Sequence, residues 1–182
     1  MKLELKKLQY SEFASHETHC FEADIWVDGK KALFAENDGR GGPNNYSHPV
    51  LKGESYPRCG ELAITKIIDS IVAEKKGDLK SQYGHWVDEC DNSTLMDTLI
   101  SLMIERKLNE KDLKKDLRKY VLFTNEAGEL MQAKPRSRKV GPEEIELIRQ
   151  QEDCTAILND MPFEEAYEIV FPTVRVGSEI DA

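Results

Sequence analysis

The sequence predicts an α+β fold: an antiparallel sheet, formed by an N-terminal strand and hairpins, packs against three main helices, and short C-terminal helices follow. Two observations support this prediction. Apolar and polar residues alternate over residues 20–27, which is the period of a half-buried strand. After residue 60, apolar residues instead recur every three or four positions, as in amphipathic helices. With 182 residues, 40% of them hydrophobic, the chain is long enough to bury a core.

The N-terminal region predicts one strand and one β-hairpin. Leu3 and Leu5 alternate with charged residues, which places the first strand there. Asp28-Gly29 is typical of a tight hairpin turn, and the apolar positions of the preceding strand are Phe21, Ala23, Ile25 and Val27. Residues 37–48 follow the second hairpin strand. Because they contain a proline and an asparagine pair, we predict a long surface loop there.

Three main helices are predicted in the middle of the chain. The first spans about residues 61–75, and a polar connection containing Gly77 and Gly84 follows it. The second spans about residues 92–103 and has a broad apolar stripe. The third spans about residues 109–120 and has a basic face. We expect the first helix to pack on the hairpin sheet.

The C-terminal third predicts a second hairpin and an internal boundary. Two apolar segments, residues 121–124 and 130–133, flank a polar turn. A basic linker follows, which favours a core domain of residues 1–139 and an acidic helical appendage of residues 140–182. A single compact domain is the alternative, and whether the two hairpins share one sheet stays open.

Prolines mark the start of two short helices in the appendage. Pro142 and Pro162 are each followed by glutamates, which the helix dipole favours in a first turn. Val174 and Val176 predict a last edge strand.

Charge and hydropathy exclude several classes of function. The net charge of −9 disfavours non-specific nucleic-acid binding, although residues 103–139 are net positive. The longest apolar runs are far shorter than the roughly 20 residues that span a membrane, and the N-terminus lacks an apolar signal core. We therefore expect a cytoplasmic protein without a membrane partner. Its four scattered cysteines are expected to be free thiols.

The glycine-rich segment of residues 37–48 is the main candidate site. Glycines reach left-handed conformations at low cost, and their N–H groups can converge on an anion, with Arg40 as a planar fork. The segment lacks the endings of P-loop and dinucleotide motifs, and no cofactor is predicted. The alternative is that its glycines only allow tight turns. The candidate ligand-binding residues are Gly39, Arg40, Gly41, Gly42, Asn44, Asn45, Tyr46 and His48.

Cys59 is a weaker candidate, for a catalytic nucleophile. It precedes a predicted helix and follows Arg58, and both features lower the pKa of a thiol. A thiol enzyme also needs a nearby base, for which His48 and His85 are candidates. The alternative is a small buried side chain, which is the usual role of cysteine.

Three other groups of residues have both a functional and a structural interpretation. His16, His19 and Cys20 lie close together, but no second ligand pair completes a metal site, so no metal is predicted. His85-Trp86 could line a pocket or could lie under a loop. The basic groups could contact phosphates or form an ordinary solvated face; they are Lys111, Lys114, Lys115, Arg118, Arg136, Arg138 and Lys139.

Two segments carry a resemblance. The first comprises Ser15-His16-Glu17-Thr18, Phe21, Ala23, Val27-Asp28-Gly29-Lys30 and Asn37-Asp38-Gly39-Arg40-Gly41-Gly42, and the second is residues 158–166. This pattern resembles one in small uncharacterised bacterial and bacteriophage proteins, to which no activity or catalytic residue is attached. The resemblance implies an intracellular binding protein that acts on a host component or a small signalling molecule.

Three functions are consistent with these observations. The first is a non-enzymatic binding protein that holds an anionic small molecule, such as a nucleotide, at residues 37–48. The second is a protein-interaction module that binds and modulates a host protein through charged surfaces. The third is a cysteine-dependent hydrolase or transferase. The oligomeric state is not predicted.

Overall fold

A computed structural model describes residues 1–49, 60–136 and 139–172, and it confirms the α+β prediction. The described residues form two antiparallel sheets and five α-helices. They divide into two compact units: unit 1 contains Met1–Glu105, and unit 2 begins at Arg106. The boundary predicted after residue 139 lies inside unit 2.

The sheet of unit 1 is a four-stranded antiparallel meander in the order β1-β2-β3-β4. Its strands are β1 (Leu3–Tyr10), β2 (Cys20–Val27), β3 (Lys30–Asp38) and β4 (Asn45–Ser47). The predicted N-terminal strand and hairpin are confirmed. Asp28 and Gly29 both have positive φ, 47° and 79°, which suits a two-residue turn between twisted strands.

Strand β4 corrects the prediction of a long loop over residues 37–48. Tyr46 lies opposite Ala35 in the register of β3 and β4. The connection therefore comprises only residues 39–44, which we call the glycine-rich loop, while Asn45 and Tyr46 belong to a strand. Strand β4 is not evident in the sequence because a three-residue strand is too short to show an alternating pattern.

The helices of unit 1 are longer than predicted. Helix α1 (Glu61–Tyr83) continues through Gly77, and Leu79 beyond it is 1% exposed. Burial of a leucine side chain contributes about 2 kcal/mol, which outweighs the cost of about 1 kcal/mol for a helical glycine. Helix α2 (Trp86–Glu89) is a single turn. The prediction that the first helix ends at about residue 75, with Gly77 in the connection that follows, is therefore wrong.

Helix α3 (Asn92–Lys119) replaces two predicted helices, and this is also a correction. Residues 104–108 contain neither glycine nor proline, and Ile104 is fully buried, so the apolar stripe continues across the supposed gap. The residues of α3 up to Glu105 belong to unit 1 and those from Arg106 to unit 2.

Unit 1 has its core between the sheet and its helices. The sheet contributes the buried residues Leu5, Phe21, Ala23, Ile25, Leu33 and Ala35. The helices contribute Ile68, Ile71, Val72, Leu79, Val87, Leu95, Met96, Leu99, Ile100 and Ile104. Strand β2 packs against this core through Phe21, Ala23 and Ile25. The glycine-rich loop connects β3 and β4 at one end of the same sheet.

Unit 2 contains a three-stranded sheet in the order β6-β5-β7. Its elements are β5 (Val121–Asn125), β6 (Leu130–Ala133), α4 (Pro142–Arg149), β7 (Cys154–Ile157), a 3₁₀ turn (Leu158–Asp160) and α5 (Phe163–Val170). The second hairpin and both short helices are confirmed. Strand β7 was not predicted, and the two hairpins lie in different sheets.

One polar side chain connects the elements of unit 2. The Asn159 Oδ1 atom accepts a hydrogen bond from the Leu122 N–H at 2.8 Å. Its Nδ2 atom donates to the carbonyl groups of Leu117 and Tyr120 at 2.8 and 3.0 Å. Asn159 thus ties the end of α3 to the start of β5, which gives the 158–166 segment a structural role.

Several predictions fall on residues outside the described part of the chain. These residues are Cys59, Arg58, Arg138, Val174 and Val176. Within the described residues, no helix combines the length and the apolar character needed to cross a membrane.

Candidate functional site

The glycine-rich loop adopts the left-handed backbone that its composition predicts. Gly39, Gly41 and Gly42 have φ values of 80°, 94° and 88°. A Cβ atom on Gly39 would lie 2.2 Å from the Ala14 carbonyl oxygen, whereas one on Gly42 would meet nothing within 4 Å. Gly39 is therefore required by close packing as well as by conformation.

A buried asparagine organises the loop. Asn37 is 6% exposed, and its Oδ1 atom accepts hydrogen bonds from the Gly39 N–H at 2.9 Å and the Thr18 hydroxyl at 2.8 Å. Its Nδ2 atom donates to Asn44 Oδ1 at 3.1 Å and to the Gly42 carbonyl at 3.3 Å. Since every hydrogen-bonding position of this amide is used, the loop is held in one conformation.

The segment between β1 and β2 interlocks with the glycine-rich loop. The Gly39 carbonyl accepts hydrogen bonds from the N–H groups of His16 and Glu17, at 2.9 and 3.1 Å. The Gly41 N–H donates to the Thr18 hydroxyl at 3.3 Å. These contacts place residues 15–19 beside the loop. The Ser15-His16-Glu17-Thr18 motif therefore belongs to the same structure as the glycines.

Asp97 of α3 fixes the other side of the loop. Its carboxylate accepts the Tyr46 hydroxyl at 2.6 Å and the Asn44 N–H at 3.2 Å. Burial raises the pKa of Asp97 above its usual value, although the hydrogen bonds from Tyr46 and Asn44 oppose the shift. Burial, together with the hydrogen bond to Asp97, also raises the pKa of Tyr46. Tyr46 thus remains a hydrogen-bond donor to a partly desolvated carboxylate.

These contacts change the interpretation of the loop as an anion nest. The N–H groups of Gly39, Gly41 and Asn44 already donate within the protein, and the Arg40 N–H donates to Asp38 Oδ1 at 3.2 Å. Such donors are not free to converge on an anion. What remains of the predicted anion site is the exposed Arg40 side chain. The prediction of an anionic ligand therefore rests on one guanidinium group.

Two cavities meet beside the loop, and they share Gly42, Asp97, Ser101 and Glu105. The first, which we call the loop cavity, has a volume of about 450 Å³; its other residues are Tyr10, Ser15, His16, Glu17, Thr18, His19 and Asn44. The second, the aromatic cavity, has a volume of about 470 Å³; its other residues are Pro43, Tyr83, Trp86, Thr94, Thr98 and Leu102.

The candidate residues differ in their positions relative to these cavities. Gly42 lines both, Asn44 lines the loop cavity, and Asn45 lines a separate cavity of about 610 Å³. Arg40 is not among the described residues that line any of the three. The His48 Nδ1 atom lies 3.3 Å from the Pro49 carbonyl oxygen. The structure therefore brings part of the predicted set together, at the Gly42–Asn44 end of the loop.

The sequence interpretation missed a polar strip on α3. Thr94, Asp97, Thr98, Ser101 and Glu105 follow a three- and four-residue spacing and line the two cavities. The signal was present, because polar residues recur with the helical period beside the apolar stripe. Such strips are usually plain solvated surface, so only contact with the glycine-rich loop identifies this one as part of a site.

Histidine and carboxylate groups face each other in the loop cavity. The His19 Nε2 atom lies 3.6 Å from Glu105 Oε1, and the rings of His19 and Tyr10 make an edge contact with centroids 5.7 Å apart. Glu17 and Asp97 line the same cavity. Within the described residues, no group of three or more His, Cys, Asp or Glu side chains has the geometry to hold a metal ion.

In unit 2, the second half of α3 presents a basic surface. A shallow depression of about 590 Å³ is lined by Lys107, Glu110, Lys111, Lys114, Lys115 and Arg118. Glu110 pairs with Arg106 at 3.1 Å and with Lys114 at 3.6 Å. Within the part of the chain that the structure describes, Lys111 and Lys115 form no ion pair, so their charges face solvent.

Comparisons with known proteins identify no relative. No family model matches the chain, no curated protein matches it, and no solved structure matches it. The resemblance to small bacterial and bacteriophage proteins stays a prediction. Only the geometry of the site therefore bears on the function of this protein.

Proposed function

We propose that this protein is a non-enzymatic binding protein whose ligand lies against the glycine-rich loop and the polar strip of α3. The observation that carries this proposal is the network around Asn37 and Asp97. It fixes a loop with three left-handed residues at the junction of two cavities. A loop fixed before binding loses little conformational entropy when a ligand arrives, which favours affinity.

Charged groups near the loop include one that favours an anionic ligand and several that disfavour it. An anion, for example a nucleotide, is favoured by Arg40, whose exposed side chain forms no hydrogen bond or ion pair with another described residue. Against an anion stand the carboxylates of Glu17, Asp97 and Glu105, which line the cavities themselves. A like charge near these groups is unfavourable, most strongly where water is excluded.

The proposal is tested by thermal unfolding with a ligand panel. The panel contains nucleotides, cyclic nucleotides, ADP-ribose derivatives, inorganic anions and organic cations. A ligand at about 100 times its dissociation constant stabilises the folded state by about 2.7 kcal/mol, which raises the melting temperature measurably. The variant Ser101→Phe fills the junction of the cavities and should abolish the shift. Lys111→Ala, on the basic surface of unit 2, should keep it.

Arg40→Ala then decides the role of the guanidinium. If the ligand is an anion held by Arg40, the stabilisation disappears in this variant although the free protein unfolds at an unchanged temperature. A panel in which every ligand leaves the melting temperature unchanged contradicts the proposal. A ligand that stabilises Ser101→Phe as strongly as the native chain also contradicts it, because the ligand then binds elsewhere.

A second candidate function is a protein-interaction module that uses the basic surface of unit 2. The free charges of Lys111 and Lys115 favour it, since unpaired surface cations attract acidic partners and accelerate association. The double variant Lys111→Glu/Lys115→Glu should abolish binding to an acidic partner. Lys2→Glu/Lys30→Glu, which makes the same change of net charge on unit 1, should not. An interaction that does not weaken with salt would argue against this candidate.

The enzymatic alternative remains a prediction, because Cys59 lies outside the described residues. It predicts rapid alkylation of Cys59 near neutral pH and loss of activity on Cys59→Ser. Alkylation no faster than that of an ordinary free thiol would count against it.

A further inference from the structure

The aromatic cavity has a wall of two rings that the proposed function does not yet explain. Tyr83 ends α1, Gly84 with a φ of 66° turns the chain, and Trp86 begins α2. This tight connection places the ring centroids of Tyr83 and Trp86 6.0 Å apart, with an angle of 58° between the ring planes. Trp86 is 39% exposed, so part of its surface is open to a ligand.

The charges of this cavity have a single sign. Asp97 and Glu105 line it, and among the described residues of its wall none is lysine, arginine or histidine. The ion pair of Glu105 is with His19, which lies in the loop cavity and is charged only when protonated. Within the described residues, each Asp97 oxygen accepts one hydrogen bond and has a further lone pair. Both carboxylates can therefore interact with a cation.

Aromatic rings and carboxylates together favour one ligand chemistry. The face of a tryptophan or tyrosine ring is negatively polarised and attracts a cation, more strongly as the site is shielded from solvent. An anion meets repulsion from both carboxylates. The hydroxyl groups of Thr94, Thr98 and Ser101 can accept hydrogen bonds from an ammonium group, and Pro43 and Leu102 offer apolar contact to its carbon atoms. A volume of about 470 Å³ is in the range of small-molecule sites.

We infer that the ligand carries an alkylammonium group, which occupies the aromatic cavity between the rings of Tyr83 and Trp86 and the carboxylates of Asp97 and Glu105. This inference rests on the proposed function and specifies the chemical class of its ligand. The rest of the ligand extends past Gly42 and Ser101 into the loop cavity, because these residues belong to both walls.

The experiment uses choline and butylammonium as probes, with 3,3-dimethylbutan-1-ol as the neutral analogue of choline. Binding is followed by NMR through the indole N–H signal of Trp86, at constant ionic strength. Trp26, the second of the two tryptophans, provides the reference signal. Glu105→Gln removes one carboxylate of the cavity and keeps the shape of the side chain. Glu89→Gln, at an exposed carboxylate that is not part of the cavity wall, is the matched control.

We expect the cationic probes to shift the Trp86 signal and leave Trp26 unchanged. Glu105→Gln should weaken their binding at least tenfold, Glu89→Gln should leave it unchanged, and the neutral alcohol should bind at least tenfold more weakly than choline. Trp86→Leu, followed through the signals of Thr98 and Ser101, should abolish binding of choline. The inference is overturned if neither cation binds, or if Glu105→Gln binds them as well as the native chain does.

The ligand panel separates failure of this inference from failure of the proposed function. If an anion stabilises the native chain but not Ser101→Phe, and the cationic probes do not bind, the proposed function stands and the inference is wrong. If neither the panel nor the probes bind, both are wrong.

Discussion

The two units contain hairpin connections of similar length that are held in different ways. The glycine-rich loop of unit 1 donates hydrogen bonds to Thr18 and Asp97, which lie 23 and 53 residues away from the loop residues they contact. The connection between β5 and β6 is closed by its own ends, since Asn125 exchanges hydrogen bonds with Gly128 and Glu129; the Asn125 carbonyl also accepts the hydroxyl of Thr155. The β5–β6 connection is a local turn, whereas the glycine-rich loop depends on Thr18 and Asp97, which are distant in the sequence.

This difference indicates where a binding site can be expected. A local turn joins two strands and needs few residues. A loop fixed by distant groups has its side chains and carbonyl groups placed to within a fraction of an ångström, as recognition of a small molecule requires. The cavities of unit 1 beside the glycine-rich loop therefore have a fixed wall.

Replacement of Gly39 should produce the largest difference between the two connections. Gly39→Ala places a Cβ atom 2.2 Å from the Ala14 carbonyl oxygen, at a φ of 80°. We expect a loss of about 3 kcal/mol in the free energy of unfolding, from overpacking and from left-handed strain. Gly128→Ala, in the connection of unit 2, has strain without a clash and should lose about 1 kcal/mol.

Urea unfolding measures both changes. Tryptophan fluorescence reports on unit 1, which contains both tryptophans, and circular dichroism serves for the Gly128 variant. Gly42→Ala is the control within the glycine-rich loop, because its φ is 88° and its Cβ atom would meet nothing. Equal losses for Gly39→Ala and Gly42→Ala would show that the close approach to Ala14 has no energetic weight.

Truncation of the two organising asparagines gives an intermediate effect. Asn37→Ala leaves the Gly39 N–H without its acceptor in a buried site and should cost about 3 kcal/mol. Asn125→Ala removes exposed hydrogen bonds that water can replace, and should cost about 1 kcal/mol. Similar urea midpoints for both variants would contradict the distinction between a long-range and a local connection.

The smallest effect should be the pH dependence contributed by Asp97. Burial raises the pKa of Asp97 in the folded state above its usual 3.8, so the folded protein binds a proton more tightly than the unfolded chain does. Its contribution to stability is therefore fully present below pH 3.8 and is lost as the pH rises through the raised pKa.

Urea unfolding of the native chain and of Asp97→Asn between pH 3.5 and 7 measures this contribution. The difference in free energy of unfolding, native minus variant, should decrease as the pH rises above 3.8. A difference that increases with pH over this interval would show that the hydrogen bonds from Tyr46 and Asn44 outweigh the burial of Asp97.

Part of the fold could be predicted because its signals are local. The Asp28-Gly29 turn and the pairing of residues 121–124 with 130–133 lie within a few residues of each other, and the structure confirms both. Strand β7 escaped prediction because its partner β5 is about thirty residues away, and periodicity in a single sequence carries no information on such pairing. Strand β4 escaped prediction for a different reason, because its three residues are too few to show an alternating pattern.

The candidate site likewise has some features that the sequence predicts and others that it does not. The glycines at 39, 41 and 42 could be assigned left-handed conformations from their type alone, and that is what the structure has. The use of the Gly39 and Gly41 N–H groups could not be predicted, because the acceptors are Asn37 and Thr18, and Thr18 lies 23 residues from Gly41 in the sequence. Free donors were therefore expected, whereas the N–H groups of Gly39 and Gly41 already donate within the protein.

By itself, the sequence determined the α+β class, the β2–β3 and β5–β6 hairpins and the position of the glycine-rich loop. Backbone preferences and hydrophobic periods act over short stretches of chain, which is why these features could be predicted. Only the tertiary structure decided that α3 is continuous and that Asp97, Glu105, Tyr83 and Trp86 line cavities beside that loop. These residues come from separate helices, and the burial of apolar surface in the core of unit 1 is what brings the helices together.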